Sequence, residues 1–153
     1  MLLLQFQAGK DLYGLDVSRV IEVIPMVAFR ALPHAEPAVA GIFNYRGVMV
    51  PVIDLTVLLA GQASRPLFST RVVLVNYRGR DAAVHVLGLL AERVTETVFC
   101  SEEDLMPAGI RVEGAPYLGD LLLHGSDMIQ RVVVEQLLPP SLQEALFVAA
   151  QEA

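Results

Sequence analysis

Apolar residues in this chain come in short runs separated by turn-forming residues, and few runs show the recurrence of a long helix. Residues 2–7 and 12–17 flank Ala8-Gly9-Lys10-Asp11, a loop of the length and type that closes a β-hairpin. Behind Asp16, a residue suited to helix capping, Val17, Val20, Ile21 and Ile24 recur at helical spacing. A short helix is expected there, entering an extended stretch over residues 22–28, with Pro25 as the limit of any helix. Residues 31–40 (ALPHAEPAVA) are too rich in proline for regular structure and read as an ordered crossing loop.

Residues 41–55 (GIFNYRGVMVPVIDL) carry the densest pattern. They read as an apolar strand, a four-residue polar turn at 44–47 with Arg46 at its tip, and a second strand. Val48, Val50 and Val52 alternate with Met49, Pro51 and Ile53, so the second strand is apolar on both faces. Such a strand is buried on both sides, or buried on one and covered by a partner on the other. Pro51 lacks a ladder donor and belongs at an edge or bulge. Asp54 has the chemistry of an N-cap for a helical turn over residues 55–60, which Gly61 ends.

Residues 62–69 form a polar interruption holding Pro66, read as the joint between two subdomains. Strands are expected over 71–75 and 82–90 with a turn at Asn76-Tyr77-Arg78-Gly79, then a further strand over 92–98. Asn-Tyr-Arg-Gly thus occurs twice, at 44–47 and 76–79. The flanks do not align, so repeated use of turn residues explains the second copy better than an internal repeat. An acidic helix start at Ser101-Glu102-Glu103-Asp104 meets Pro107 after a single turn. Residues 118–123 and 128–134 make another hairpin. Pro139 and Pro140 break the chain, and Ser141 with Glu144 reads as a capping box for a terminal helix over 141–153. Its apolar stripe is Leu142, Ala145, Leu146 and Ala149. Many short strands with little helix predict a mainly β, barrel-like fold.

A chain of 153 residues suits one domain. The apolar fraction is 54% and the charged fraction 18%, so apolar surface is expected to remain for a partner to cover. A net charge of −6, with Lys10 the only lysine, opposes nucleic acid and a basic membrane-binding face. Direct membrane insertion is not expected, since no window is long and apolar enough to span a bilayer. The first residues lack the layout of a signal peptide. Cys100 has no second cysteine to pair with, which favours a reducing, cytoplasmic setting.

The search for chemistry finds little. His34, His85 and His124 show no ligand spacing with each other or with Cys100, so no metal is expected. No nucleotide-binding glycine motif and no nucleophile elbow occur, and no cofactor is expected. Asp16, Glu22 and Asp54 are the acids that an enzyme on this scaffold would use, but capping by Asp16 and Asp54 and ion pairing by Glu22 account for them more simply. Arg46 stands out, because a guanidinium engages a carboxylate through two parallel hydrogen bonds.

Asn44-Tyr45-Arg46-Gly47, the apolar Val48-Met49-Val50 and Pro51-Val52-Ile53-Asp54-Leu55 together resemble the central motif of the CheW-like domains of bacterial chemosensory systems. Leu4-Gln5-Phe6, Tyr13-Gly14-Leu15-Asp16 and Val20-Ile21-Glu22-Val23 match the family's opening elements. Residues 88–94 and 132–138 match its second half, so the likeness covers roughly residues 2–138. The resemblance implies one domain over residues 1–140, built of two intertwined SH3-like five-stranded barrels, followed by the C-terminal helix. It implies pairing of Arg46 with Glu22, and partner binding by Val20, Glu22, Gly41, Arg46 and Gly47. A backbone role is the simpler account of Gly47.

The function implied is a non-enzymatic adaptor between the cytoplasmic tips of methyl-accepting chemoreceptors and the regulatory domain of a CheA-type histidine kinase, recruited to receptor arrays at the inner membrane. One subdomain would dock the kinase, and a groove between the subdomains would hold a receptor helix hairpin. A paralogue serving surface motility or another output, and a small β-barrel enzyme using Asp16, Glu22 and Asp54, are the alternatives. Tyr45 in place of an aliphatic residue, and Glu92 in place of aspartate, depart from the family pattern. His34 and Glu36 have no assigned role.

Overall fold

The computed structural model describes residues 1–79 and 82–147. Among the described residues, ten strands run in chain order: β1 (Leu2–Ala8), β2 (Asp11–Asp16), β3 (Val20–Pro25), β4 (Val39–Tyr45), β5 (Val48–Asp54), β6 (Arg71–Arg78), β7 (Val84–Phe99), β8 (Leu105–Met106), β9 (Leu118–His124) and β10 (Asp127–Val132). Helix α1 (Leu55–Ala60) follows β5, and α2 (Pro140–Leu146) closes the described chain.

The strands form two SH3-like barrels that share β7. Its first half lies between β6, antiparallel, and the end of β5, parallel. With β3 beyond β6 and β4 beyond β5, these five strands make the first barrel. From Glu92 onward β7 pairs with β1, and β1, β2, β10, β9 and the two-residue β8 complete the second. The strands expected separately over 82–90 and 92–98 are therefore one strand of 16 residues. It bends at the crossover, where Arg93 adopts φ 52° and the register against β1 shifts.

Residues 62–69, read from sequence as a joint, connect α1 to β6 and lie against that bend. Arg65 Nε donates to the buried Glu92 carboxylate at 2.8 Å, and Val94 N–H donates to the Ser69 carbonyl at 2.9 Å.

Among the described residues, side-chain alternation divides the core into three clusters. Val50, Val52, Val72, Leu74 and Leu90 fill the first barrel. Leu3, Val98, Cys100, Leu122 and Ile129 fill the second, where Cys100 acts as a small buried hydrophobe. Between the barrels, the opposite faces of the same strands bury Phe6, Leu15, Ile53, Val73, Leu87 and Leu89 together with Leu55 of α1. Strands apolar on both faces follow from this layering: one face fills a barrel and the other meets the second barrel.

Local signals were mostly followed. Asp54 caps α1 by accepting the Thr56 N–H at 3.0 Å, and its other oxygen takes the Ser64 N–H at 2.9 Å. Asp16 likewise accepts the Ser18 N–H, but the helix behind it is only a 3-10 turn over Val17–Arg19 before β3 begins. β-Branched Val20, Ile21, Val23 and Ile24 take the strand that the first barrel needs at its edge. Pro51 sits one residue short of the β5–β7 ladder, which starts at Val52, so no donor is missed there.

Three further readings are corrected. The turn expected at 44–47 is only Arg46-Gly47, since Asn44 and Tyr45 belong to β4. The second Asn-Tyr-Arg is not a turn, because these residues continue β6 in register with β7. The C-terminal helix is not capped by Ser141. Pro139 is its N-cap and Pro140 its first residue, because a proline's fixed φ and missing N–H suit that position. Leu142 is buried and Ala145 exposed, while Ala149 lies outside the described residues. Phe147 anchors the end of this segment, stacked on His85 at 4.1 Å and beside Tyr77 at 5.9 Å.

Candidate partner-binding site

The two edges of the first barrel, β3 and β4, meet where the chain after β3 folds back. Arg30 and Ile42 exchange backbone hydrogen bonds of 2.8 and 2.9 Å across this seam. The close approach accounts for Gly41: its φ is 146°, and a Cβ there would overlap the Arg30 carbonyl. Gly41 is buried and sets backbone geometry at the seam.

Further along the seam, β4 and β5 are joined by a two-residue turn with φ 50° at Arg46 and 87° at Gly47. Positive φ at both positions is the turn whose twist matches a β-hairpin. Asn44 Oδ1 accepts the Gly47 N–H at 2.7 Å and fixes it. Open space surrounds Gly47, so its glycine serves the backbone conformation.

This turn lifts Arg46 to the surface and aims it back over β3. Its Nη2 lies 3.4 Å from Glu22 Oε2, with 74% of the arginine side chain and 36% of the glutamate side chain exposed. The Tyr45 hydroxyl donates to the same Glu22 oxygen. The guanidinium sits 5.0 Å from the Tyr45 ring centre, and Phe43 packs edge-on against that ring at 6.4 Å. Donation to Glu22 holds the Tyr45 phenol above the ordinary tyrosine value, with burial adding to the rise and Arg46 opposing it.

An ion pair this exposed contributes about 0–1 kcal/mol to folding. The barrel does not need it for stability, which favours a role at the surface. Val48 and Met49, which follow the turn in β5, and Ile21, next to Glu22 in β3, are exposed, so the charge pair has apolar neighbours along both strands. Val48 and Met49 are the part of the two-faced apolar strand that this chain leaves uncovered.

Of the five residues expected to bind partners, the structure joins Glu22 and Arg46. Gly47 and Gly41 act through the backbone, and Val20 starts β3 opposite Val75, half-buried against the central core. Tyr45, which bridges the pair, was missed as a participant. Its signal was present as the aromatic beside Arg46, whose strand parity was hidden by reading Asn44 and Tyr45 as turn. The acids of the enzyme alternative have separate tasks: Asp16 and Asp54 cap, and Glu22 pairs. Among the described residues, no three His, Cys, Asp or Glu side chains are placed to hold a metal ion.

A groove of about 490 Å³ opens between the barrels, lined by Ile53, Leu58, Tyr117, Leu137, Pro140 and Leu142 among others. It is concave and largely apolar, a form suited to a helical segment.

The sequence pattern of the CheW-like domain matches residues 2–141. The chain belongs to the CheW-like domain family. Among its relatives, the chemotaxis protein CheW of Treponema pallidum is 29% identical over 137 residues, covering 83% of this chain and 75% of that protein. That of Klebsiella aerogenes is 29% identical over 135 residues, covering 87% and 78%. The crystal structure of the scaffolding protein TtCheW from Thermoanaerobacter tengcongensis superposes with a TM-score of 0.76, covering 88% of this chain and 84% of that one at 24% identity. The CheW-like fold is thus established here, with β7 joining the two barrels. Among the described residues, no helix is long and apolar enough to cross a membrane.

Proposed function

We propose that this protein is a non-enzymatic adaptor that couples methyl-accepting chemoreceptors to a CheA-type histidine kinase, in the cytoplasm and at receptor arrays. The observation that carries this reading is the Arg46–Glu22 pair, exposed at a hairpin tip among apolar side chains and of little value to folding. Such a pair gives a docking surface direction and register, while the apolar residues give affinity. Membership of the CheW-like family supports the partner classes. Receptor state would then bias the kinase through contacts that differ between two arrangements.

Calorimetric binding tests the reading, with purified regulatory domain of a CheA-type kinase from the same organism and, separately, a receptor cytoplasmic tip. Stoichiometric binding of both is expected, with receptor affinity falling more than about tenfold in Arg46→Glu. Failure of the folded protein to bind either partner would remove it from that complex and leave the fold standing.

A further inference from the structure

We propose that Tyr45 is a positioning and specificity-determining residue of the partner-facing hairpin, presenting Arg46 to a carboxylate on the partner. The inference rests on the adaptor reading above.

Glu22 is the obvious acceptor for Arg46, and a glutamate left to itself takes a guanidinium through two parallel hydrogen bonds. Here that clamp does not form. The Tyr45 hydroxyl occupies the Oε2 atom that faces the hairpin, and the guanidinium approaches the same oxygen only as a 3.4 Å charge contact. Arg46 lies instead over the Tyr45 ring at 5.0 Å, and its backbone is held at φ 50° by the turn. Phe43 packs edge-on against the same ring. A guanidinium has five N–H donors in one plane. Held at one corner by Glu22 and on one face by a ring, it keeps an outer edge for a second carboxylate.

An aliphatic residue at this position could neither donate to Glu22 nor bed the cation. Glu22 would then be free to draw Arg46 into an internal pair and neutralise it. Tyr45 therefore separates two demands on one glutamate: it satisfies the carboxylate and leaves the arginine for the partner. The partner group that fits is an aspartate or glutamate side chain on an otherwise apolar surface, since the exposed Val48 and Met49 follow directly after the turn that carries the arginine.

The test uses the full-length protein and the receptor tip, with Tyr45→Phe and Tyr45→Leu compared by calorimetry. Losing the hydroxyl is expected to weaken binding about fivefold, and losing the ring as well about twentyfold, with melting temperature nearly unchanged. In a Glu22→Gln background, Tyr45→Phe should have less than about half its effect on a logarithmic scale, because the bond it removes is already weakened. A second readout needs no partner. In protein labelled at the tyrosine ring carbon bearing oxygen, the resonance missing from Tyr45→Phe should ionise at higher pH than a free tyrosine, and at lower pH in Glu22→Gln than in the parent. Equal receptor affinity of the parent, Tyr45→Phe and Tyr45→Leu would overturn the inference while leaving the adaptor reading intact. Ionisation of Tyr45 at the same pH in Glu22→Gln as in the parent would overturn the bridging geometry itself. Absence of receptor binding by the parent would instead overturn the adaptor reading, and the inference with it.

Discussion

Asn-Tyr-Arg-Gly occurs twice in this chain, and the two copies have almost nothing in common as structure. At 44–47 the last two residues make a hairpin turn, Tyr45 is half-buried at the rim and Arg46 stands in solvent. At 76–79 the first three residues extend β6, and Tyr77 is 1% exposed between the barrels, its hydroxyl donating to the Glu135 carbonyl at 3.3 Å. Even the tyrosines' acidities are set differently. Both phenols are held above the ordinary value, Tyr77 chiefly by burial and Tyr45 chiefly by its bond to a carboxylate. Tetrapeptides of this kind permit a turn without requiring one. The deciding factor is whether the strands on each side gain more by ending or by continuing.

The largest expected contrast is in stability. Tyr77→Ala should destabilise by about 3–5 kcal/mol, as truncation of a large core side chain does, and Tyr45→Ala by about 1 kcal/mol. Urea unfolding measures both, and similar values would erase the distinction between core and rim.

Binding should invert the order. Arg46→Glu is expected to reduce receptor affinity more than about tenfold, and Arg78→Glu, exposed on β6, less than about twofold. Comparable losses would show that net charge, not hairpin geometry, governs docking.

Gly47→Ala should cost about 1 kcal/mol, because φ 87° strains any residue with a Cβ. A smaller loss in denaturant would mean that the turn relaxes to another form.

The smallest effect is alkaline. A raised phenol pKa in the folded state contributes stability that is fully present below the unfolded value near 10, and is lost as pH rises through the folded value. Stability should thus be flat to about pH 9 and fall beyond about pH 10. Glu22→Gln should remove the share due to Tyr45 and leave that of Tyr77. An unchanged alkaline slope in Glu22→Gln would count against the Tyr45–Glu22 bond.

Much of this was legible in the chain. Asp54, the apolar turn of helix behind it and Gly61 are local signals, and each did locally what its chemistry allows. The Glu22–Arg46 pair was legible only through resemblance, since residues on β3 and on a hairpin tip become neighbours when the barrel closes. Tyr45 was hidden by a two-residue error in turn length, which changed a strand residue facing Glu22 into a solvated loop residue. The single β7 was hidden because Arg93 and the buried Glu92 look like a break in an apolar run. Glu92 is tolerated there because Arg65 reaches it from a loop far away in sequence. The terminal helix, expected over 141–153, runs over Pro140–Leu146, and residues 148–153 lie outside the described residues. It was capped wrongly, because Ser141 and Pro140 are both good openers and only packing chooses between them.

The second barrel has a consequence for synthesis on the ribosome. Its central strand β2 ends at Asp16, yet the strand that pairs with it in parallel, β10, begins at Asp127. At about 5–20 residues per second, the first hairpin leaves the exit tunnel many seconds before its neighbour exists. Throughout that interval β2 presents an open edge to the cell. The first barrel, whose strands all lie between Val20 and Ala91, faces a much shorter wait. Nascent chains arrested before β10 emerges should therefore carry a protease-resistant first barrel and a β1–β2 hairpin still open to cleavage or to a chaperone. Chains released beyond Val132 should protect both.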